Sequence, residues 1–207
     1  MSFDKNKLLV CGAFAGETDL LKIAGFNVLD TGVGNLASAL SLQEYIFEHT
    51  EINSVVFAGS AGFYHDRFAT GQIVCSGSFY SINPAATRGL IKIPEIMTTN
   101  IDTHAVPELT TVLSDVARGK TNSFSGITIY DPGMEDLEKL KDIDFENMET
   151  FGLASVCYRQ NKNFTALYCL TNKVGSDGSA GWQSNWKKCS ISLQNFLISA
   201  LSEKTEP

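Results

Sequence analysis

Apolar residues fall along this chain in short unbroken runs rather than in alternation, at positions 8–14, 26–29, 54–58, 73–75, 124–130 and 164–170. Several are rich in Val, Ile, Phe and Cys, and a run with no polar side to show reads as a strand buried on both faces. Between the runs the spacing becomes helical. Over 35–49 the residues Leu36, Ala39, Leu40, Tyr45 and Ile46 gather on one side, and amphipathic stretches also cover 107–117, 134–140, 151–159 and 182–201. Strands alternating with helices predict an α/β fold around a central sheet. The one long stretch of mixed signals, 79–104, reads as a loop-rich excursion that lines a site or a subunit contact, with disorder as the competing reading. The tail 203–207 reads as frayed.

Composition narrows this picture. With 207 residues, 43% of them hydrophobic, the chain is long enough for one well-buried core and short for two, so 1–207 is expected to form a single domain. A formal net charge of -7 and only four arginines (Arg67, Arg88, Arg118, Arg159) argue against a nucleic-acid surface, which needs clustered cations to neutralise phosphates. The five cysteines are far apart, odd in number and mostly inside apolar runs, so they predict reduced core thiols and neither a disulfide framework nor a metal site. The first apolar run is too brief and too punctuated by glycine for a signal peptide or a membrane span, which leads to the expectation of a cytoplasmic protein with no membrane partner.

The candidate chemistry sits where apolar runs end in polar or glycine-rich clusters. The most informative begins at Cys169-Leu170-Thr171-Asn172 and continues through Lys173-Val174-Gly175-Ser176-Asp177-Gly178, so that a buried strand delivers an amide to its end. Asn172 presents both a donor and an acceptor, and opposite a purine it could donate to N7 and to a 6-oxo oxygen. Glu17, following Gly12-Ala13-Phe14-Ala15-Gly16, falls at the carboxyl edge of the sheet, where open α/β folds bind ligands. There it is a candidate acid or base, and equally a plain partner of a helix dipole. Glycines in Thr31-Gly32-Val33-Gly34 and Gly59-Ser60-Ala61-Gly62 let backbone amides approach a ligand, although tight turns explain them as well. Neither cluster is a phosphate-cradling loop or a dinucleotide fingerprint. In Glu146-Asn147-Met148-Glu149, the last carboxyl starts a helical stretch and could accept two vicinal hydroxyls, or serve only as an N-terminal helix charge. Phe14, Phe79 and Tyr130 are the aromatic candidates for stacking on a base, while His49, His65 and His104 share no common spacing.

Taken in order, these clusters resemble the purine nucleoside phosphorylase and nucleosidase superfamily, from about residue 8 to residue 201. Gly12-Ala13-Phe14 with Glu17 is similar to the start of methylthioadenosine/S-adenosylhomocysteine nucleosidases, Thr31-Gly32-Val33-Gly34 to their S-G-x-G turn and Gly59-Ser60-Ala61-Gly62 to their G-[ST]-A-G segment. Asn147-Met148-Glu149 matches the ribose motif. Where those nucleosidases carry I-S-D, this chain has Leu170-Thr171-Asn172, which is similar to 6-oxopurine phosphorylases and futalosine hydrolases. The continuation to Asp177, with Trp182 beyond, resembles the futalosine hydrolase pattern S-N-x-V-G-x-R-D…W without its arginine.

The resemblance implies a three-layer α/β/α domain with a central mixed sheet, a homodimer, and a small-molecule purine nucleoside as ligand, with no cofactor. It implies Glu17 and Asn172 as the catalytic pair. Phe14, Val33, Ser60, Ala61, Gly62, Ile129, Tyr130, Asn147, Met148, Glu149 and Thr171 would form the substrate contacts. Hexameric phosphorylases require arginines near the first strand and before the glycine-serine-alanine-glycine segment, whereas Glu17 and Val55, Val56 and Phe57 stand here. A carboxyl group there would repel phosphate and suit activation of water, so hydrolysis is expected over phosphorolysis. Three rivals remain open: an arginine-free phosphorylase using Thr31 and Ser60, a methylthioadenosine-type nucleosidase, and a nucleoside-binding protein without turnover. Arg88 and Lys92 are the only suggestions for the 5′-substituent.

Overall fold

The computed structural model describes residues 5–140 and 142–202; the expected frayed tail, 203–207, lies outside them. After a 3-10 turn at Lys5–Lys7 the chain runs through β1 (Leu8–Gly12), α1 (Asp19–Ile23), β2 (Asn27–Asp30), α2 (Asn35–Glu48), β3 (Ser54–Phe63) and β4 (Ile73–Tyr80). It continues with α3 (Pro84–Thr87), β5 (Asn100–Asp102), β6 (Ala117–Ser123), α4 (Met134–Lys139), β7 (Phe145–Asn147), α5 (Thr150–Arg159), β8 (Asn163–Lys173) and α6 (Gly178–Ser202).

The strands form one mixed sheet that closes on itself. β3 pairs with β8 in parallel, β8 with β4 antiparallel, β4 with β6 and β6 with β7 in parallel, and β7 returns antiparallel to β3. β1 and β2 extend the sheet in parallel from β3, and β5 hangs antiparallel on β4. Alternate residues divide between two cores. Leu9 and Cys11 with Val55 and Phe57 pack against Leu42 and Ile46 of α2 and Leu153 and Cys157 of α5. Leu8, Val10, Val56 and Ala58 pack on the other side against Leu21 of α1 and Cys189, Leu193, Leu197 and Leu201 of α6. Helices therefore cover both faces, and each fully buried aliphatic side chain contributes roughly 1.5–3 kcal/mol. The unalternating runs are explained by this double burial. All five cysteines are buried and unbridged, and among the described residues no helix is long and apolar enough to cross a membrane.

Three segments differ from their sequence patterns. Residues 124–130 form bends, and the strand lies earlier, at β6. Its buried end is polar: Thr121, Asn122 and Ser123 are enclosed, with Asn122 making paired bonds to the backbone of Ile82. A polar strand inside a closed sheet escapes any search for apolar runs. Over 107–117 there is only a 3-10 turn, Pro107–Leu109, yet Val106, Leu109 and Leu113 still reach the α6 core. Those i, i+3, i+7 positions satisfy burial through successive turns. Finally, β3 does not stop at Ala58 but continues to Phe63, with a register shift at Ala61/Gly62 against β8.

Candidate active site

A cavity of about 600 Å³ opens at the carboxyl edge of the sheet, beside the end of β1, the second half of β3, β7, the end of β8 and the first turns of α6. Glu17, in a 3-10 turn after β1, is 4% exposed and faces Ser60 across the edge. Its Oε2 accepts the backbone N–H of Ala13 at 3.0 Å. Its Oε1 accepts the Ser60 N–H and the Ser60 hydroxyl, each at 3.1 Å. The Ser60 hydroxyl in turn accepts the indole N–H of Trp182 at 3.0 Å. Burial pushes the Glu17 carboxyl up to about 7, aided by repulsion from Glu149 and opposed by the donors of Ala13 and Ser60. A carboxyl group so placed exchanges its proton near neutral pH.

Glu149 is held by a different set of elements. Its Oε1 accepts the N–H of Gly34 at 3.0 Å, and its Oε2 accepts Asn147 Nδ2 at 2.8 Å and the Met148 N–H at 3.3 Å. Gly34 sits at φ 93°, where a side chain would be strained, at the start of α2. Asn147 closes the arrangement: its Oδ1 accepts the N–H groups of Glu149 and Thr150 at the start of α5, and its Nδ2 also reaches Ser60 O at 3.2 Å. The two helices can meet here because residue 152 is glycine; a Cβ there would lie 2.2 Å from Asn35 O. Burial raises the Glu149 carboxyl, against the pull of Gly34, Met148 and Asn147.

Asn172 ends β8 at the cavity wall. Its Oδ1 accepts the Thr171 hydroxyl at 2.8 Å and its Nδ2 donates to Lys173 O at 3.0 Å. With those bonds made, one N–H and one acceptor position remain. Asp131 secures the loop beyond, accepting both the N–H and the hydroxyl of Ser176.

The cavity thus brings together Glu17 and Asn172 with Phe14, Val33, Ser60, Ala61, Gly62, Asn147, Met148, Glu149 and Thr171. Ile129 and Tyr130 do not line it. The bend over 124–130 presents Gly126 and Ile127 in their place, leaving Ile129 74% exposed. The Tyr130 ring lies under Arg88, whose guanidinium is 3.4 Å from the ring centroid and 3.5 Å from Asp136. Arg88 is therefore engaged away from the cavity. Phe79, a stacking candidate from the sequence, is fully buried against Phe164. Sequence reasoning missed Gly126, Ile127, Ser179 and Gln183, and gave no role to Glu146 and Gly178, which stand in its polar clusters. The i, i+4 pair Ser179 and Gln183 on the first turn of α6 was a legible signal, whereas Glu146 was hidden beside the ribose-like motif.

The family model described as the phosphorylase superfamily matches residues 25–202. The chain belongs to that superfamily. No curated protein matches the sequence. Among solved structures, a 5′-methylthioadenosine/S-adenosylhomocysteine nucleosidase from Neisseria meningitidis, in complex with methylthio-immucillin-A, is 15% identical with a TM-score of 0.76, over 95% of this chain and 98% of that one. A futalosine hydrolase mutant of Helicobacter pylori is 14% identical with a TM-score of 0.78, over 95% and 98%. A nucleosidase of the first kind from Colwellia psychrerythraea, in complex with adenine, is 16% identical with a TM-score of 0.78, over 98% and 97%. At these identities the likeness is one of fold, shared over nearly the whole length of each chain.

Proposed function

We propose that this superfamily member hydrolyses the N-glycosidic bond of a 6-oxopurine nucleoside of the futalosine type. The observation that carries the reading is the Glu17 carboxyl, buried at the sheet edge, fixed by Ala13 and Ser60 and poised at about 7. In this mechanism ionised Glu17 takes a proton from water as its oxygen bonds to the anomeric carbon. The C–N bond breaks with its electron pair passing to the base, which takes up a proton in turn. Glu149 holds the ribose 2′- and 3′-hydroxyls, and the remaining Asn172 N–H meets the negative charge growing on the purine. A donor aimed at developing charge contributes on the order of 3 kcal/mol. Phe14, Val33, Met148 and Ser60 shape the walls.

Hydrolysis is favoured over phosphorolysis because no lysine or arginine is among the residues that line the cavity, while the carboxyl groups of Glu17, Glu146 and Glu149 are. A phosphate dianion entering there meets uncompensated like charge. A homodimer, with the partner covering part of the rim, accords with the exposed Val33 at the cavity and the exposed Leu36, Leu40 and Phe47 on α2. The protein would act in the cytoplasm as a single domain, without a cofactor.

The test is base release from futalosine, inosine, adenosine and methylthioadenosine, with and without phosphate. Hypoxanthine from futalosine in phosphate-free buffer is the expected product. Release only with phosphate makes it a phosphorylase, release of adenine alone makes it a methylthioadenosine-type nucleosidase, and tight binding without release makes it a binding protein.

A further inference from the structure

Asn35 does not line the cavity, yet its side chain ties together three elements that converge on Glu149. It is the first residue of α2, directly after Gly34, whose N–H reaches Glu149 Oε1. Its Oδ1 accepts the N–H of Gly152 at 2.9 Å and the Ser123 hydroxyl at 3.0 Å, and its Nδ2 donates to Ser123 O at 3.0 Å. Gly152 lies in the first turn of α5, where backbone N–H groups find no partner within the helix. Asn147 takes up the N–H groups of Glu149 and Thr150 from the adjoining strand, whereas that of Gly152 depends on another helix. Ser123 is the buried end of β6 and leads into the bend that carries Gly126 and Ile127.

This tie governs how Glu149 is held. Glu149 is the N-cap of α5, so its backbone moves with that helix, while the donor to its Oε1 moves with α2. Close contact of Asn35 O with Gly152 stops the two helices from approaching further but does nothing to stop them parting. The Asn35 amide supplies that restraint. Ser38 Oγ also reaches across, 3.1 Å from Glu149 O, but it lies 2.9 Å from Gly34 O as well and has one proton to give. Were α2 to move away, Glu149 Oε1 would lose Gly34, and the carboxyl group could turn about Oε2, which Asn147 and Met148 still hold.

We propose that Asn35 is a positioning residue for ribose recognition, which holds α2 to α5 and β6 and so keeps the Gly34 N–H on Glu149. This rests on the reading that Glu149 receives the ribose hydroxyls. A carboxyl group fixed in advance meets two vicinal hydroxyls without being ordered by them, and affinity gained by such preorganisation is lost when the support loosens. Asn172 stands on β8, outside the tie, so recognition of the base is left unchanged.

Equilibrium binding tests this without turnover. Carbocyclic inosine, with a methylene in place of the ring oxygen, keeps the base and both hydroxyls but lacks the lone pair that drives cleavage; its 2′,3′-dideoxy analogue lacks the hydroxyls. In calorimetric titrations, Asn35→Ala is expected to weaken carbocyclic inosine about tenfold and the dideoxy analogue less than twofold. Ser123→Ala removes one donor to Asn35 and leaves both helices intact, so it should weaken carbocyclic inosine about threefold, and it serves if the first variant fails to fold. Amide hydrogen exchange adds a readout free of ligand: the Gly34 N–H should exchange at least about threefold faster in Asn35→Ala. Equal weakening of both ligands makes Asn35 a packing residue, and unchanged carbocyclic inosine affinity or unchanged Gly34 exchange overturns the inference. Glu149→Gln in the same titrations separates it from the reading beneath. Affinity that follows Glu149 but ignores Asn35 and Ser123 sinks Asn35 alone, whereas a wild-type protein that binds neither ligand, or binds no better than Glu149→Gln, sinks the ribose reading and this inference together.

Discussion

The two ends of the cavity are built on opposite plans. At the reacting end the polar groups are spent on one another: Trp182 on Ser60, Ser60 and Ala13 on Glu17, Gly34 and Asn147 on Glu149. Those bonds draw in β1, β3, β7 and the starts of α2, α5 and α6, so no single loop can shift a carboxyl oxygen. At the other end, beside Asn172 and Glu146, the bonding is incomplete, although Tyr64 and Thr128 hold Glu146 from across the fold. Among the described residues Asn172 is tied only to its neighbours Thr171 and Lys173 and Glu146 keeps an open acceptor position, and the bend beside it leaves Ile127 56% exposed. On the proposed reading, the contrast teaches that geometry is fixed where a bond would break, while unspent hydrogen-bonding capacity is kept where a ligand would be told from its analogues.

Breaking the fixed end should have the largest effect. Glu17→Gln removes the proton acceptor while nearly preserving volume, and we expect kcat/KM for base release to fall about 10³-fold with little change in KM. Loss smaller than about tenfold would remove Glu17 from proton transfer. In the parent protein kcat/KM should rise with pH through about 7, because only ionised Glu17 accepts a proton. The same shift has a thermodynamic face. With the folded carboxyl at about 7 and an ordinary value of 4.5, the native state binds more protons than the unfolded chain between these limits. Stability from this group is then greatest below 4.5 and declines as pH rises to 7, by about 3 kcal/mol in total. Denaturant melts across this range should show that decline in the parent and lose it in Glu17→Gln.

Glu149→Gln attacks the second fixed corner. Two ribose hydroxyls lose a charged acceptor, so kcat/KM should fall on the order of 100-fold, mostly through KM. A nucleoside lacking the 2′- and 3′-hydroxyls should be nearly indifferent to the change. Equal sensitivity of both substrates would assign Glu149 to holding α2 against α5 and nothing more.

At the open end the effect is smaller and is a change of preference. Asn172→Asp substitutes an acceptor for the amide donor. It should reduce the preference for inosine-type over adenosine-type substrates by about tenfold, read from the ratio of their kcat/KM values. An unaltered ratio would remove Asn172 as a reader of the base.

The same contrast decides what could be read from the sequence. Strands buried on both faces announce themselves as apolar runs, and β1, β3, β4 and β8 were legible because two helical layers cover them. Glu17 and Ser60 stand just beyond such runs, whereas Asn147 and Glu149, at the end of the short polar strand β7, stood out only through the motif they match. The other end was not legible in this way. β6 carries Thr121, Asn122 and Ser123 into the interior, so the strand was sought seven residues too late and the contacts were assigned to Ile129 and Tyr130 instead of Gly126 and Ile127. Glu146 was passed over for a related reason, because its neighbours Asn147 and Glu149 matched a motif and it matched none. Closure of the sheet through β7 and β6 depends on pairing between short polar strands, which periodicity does not register.

The subtlest break is at Trp182, which belongs to the fixed end without touching Glu17. A hydroxyl has one proton, and Ser60 Oγ accepts the Trp182 N–H at 3.0 Å, so its own proton is committed to Glu17 Oε1 at 3.1 Å. That commitment favours ionised Glu17. In Trp182→Phe the ring can keep its stack on Trp186, now at 5.7 Å and 12° between planes, but the N–H is gone. Ser60 is then free to turn and accept a proton from neutral Glu17 instead. The protonated form gains about one hydrogen bond, so the rising limb of kcat/KM should move to higher pH by up to about one unit. Above that limb the rate should fall by less than about threefold, since the attacking geometry survives. A uniform loss at every pH, with the limb unmoved, would reduce Trp182 to a packing residue and detach α6 from the chemistry.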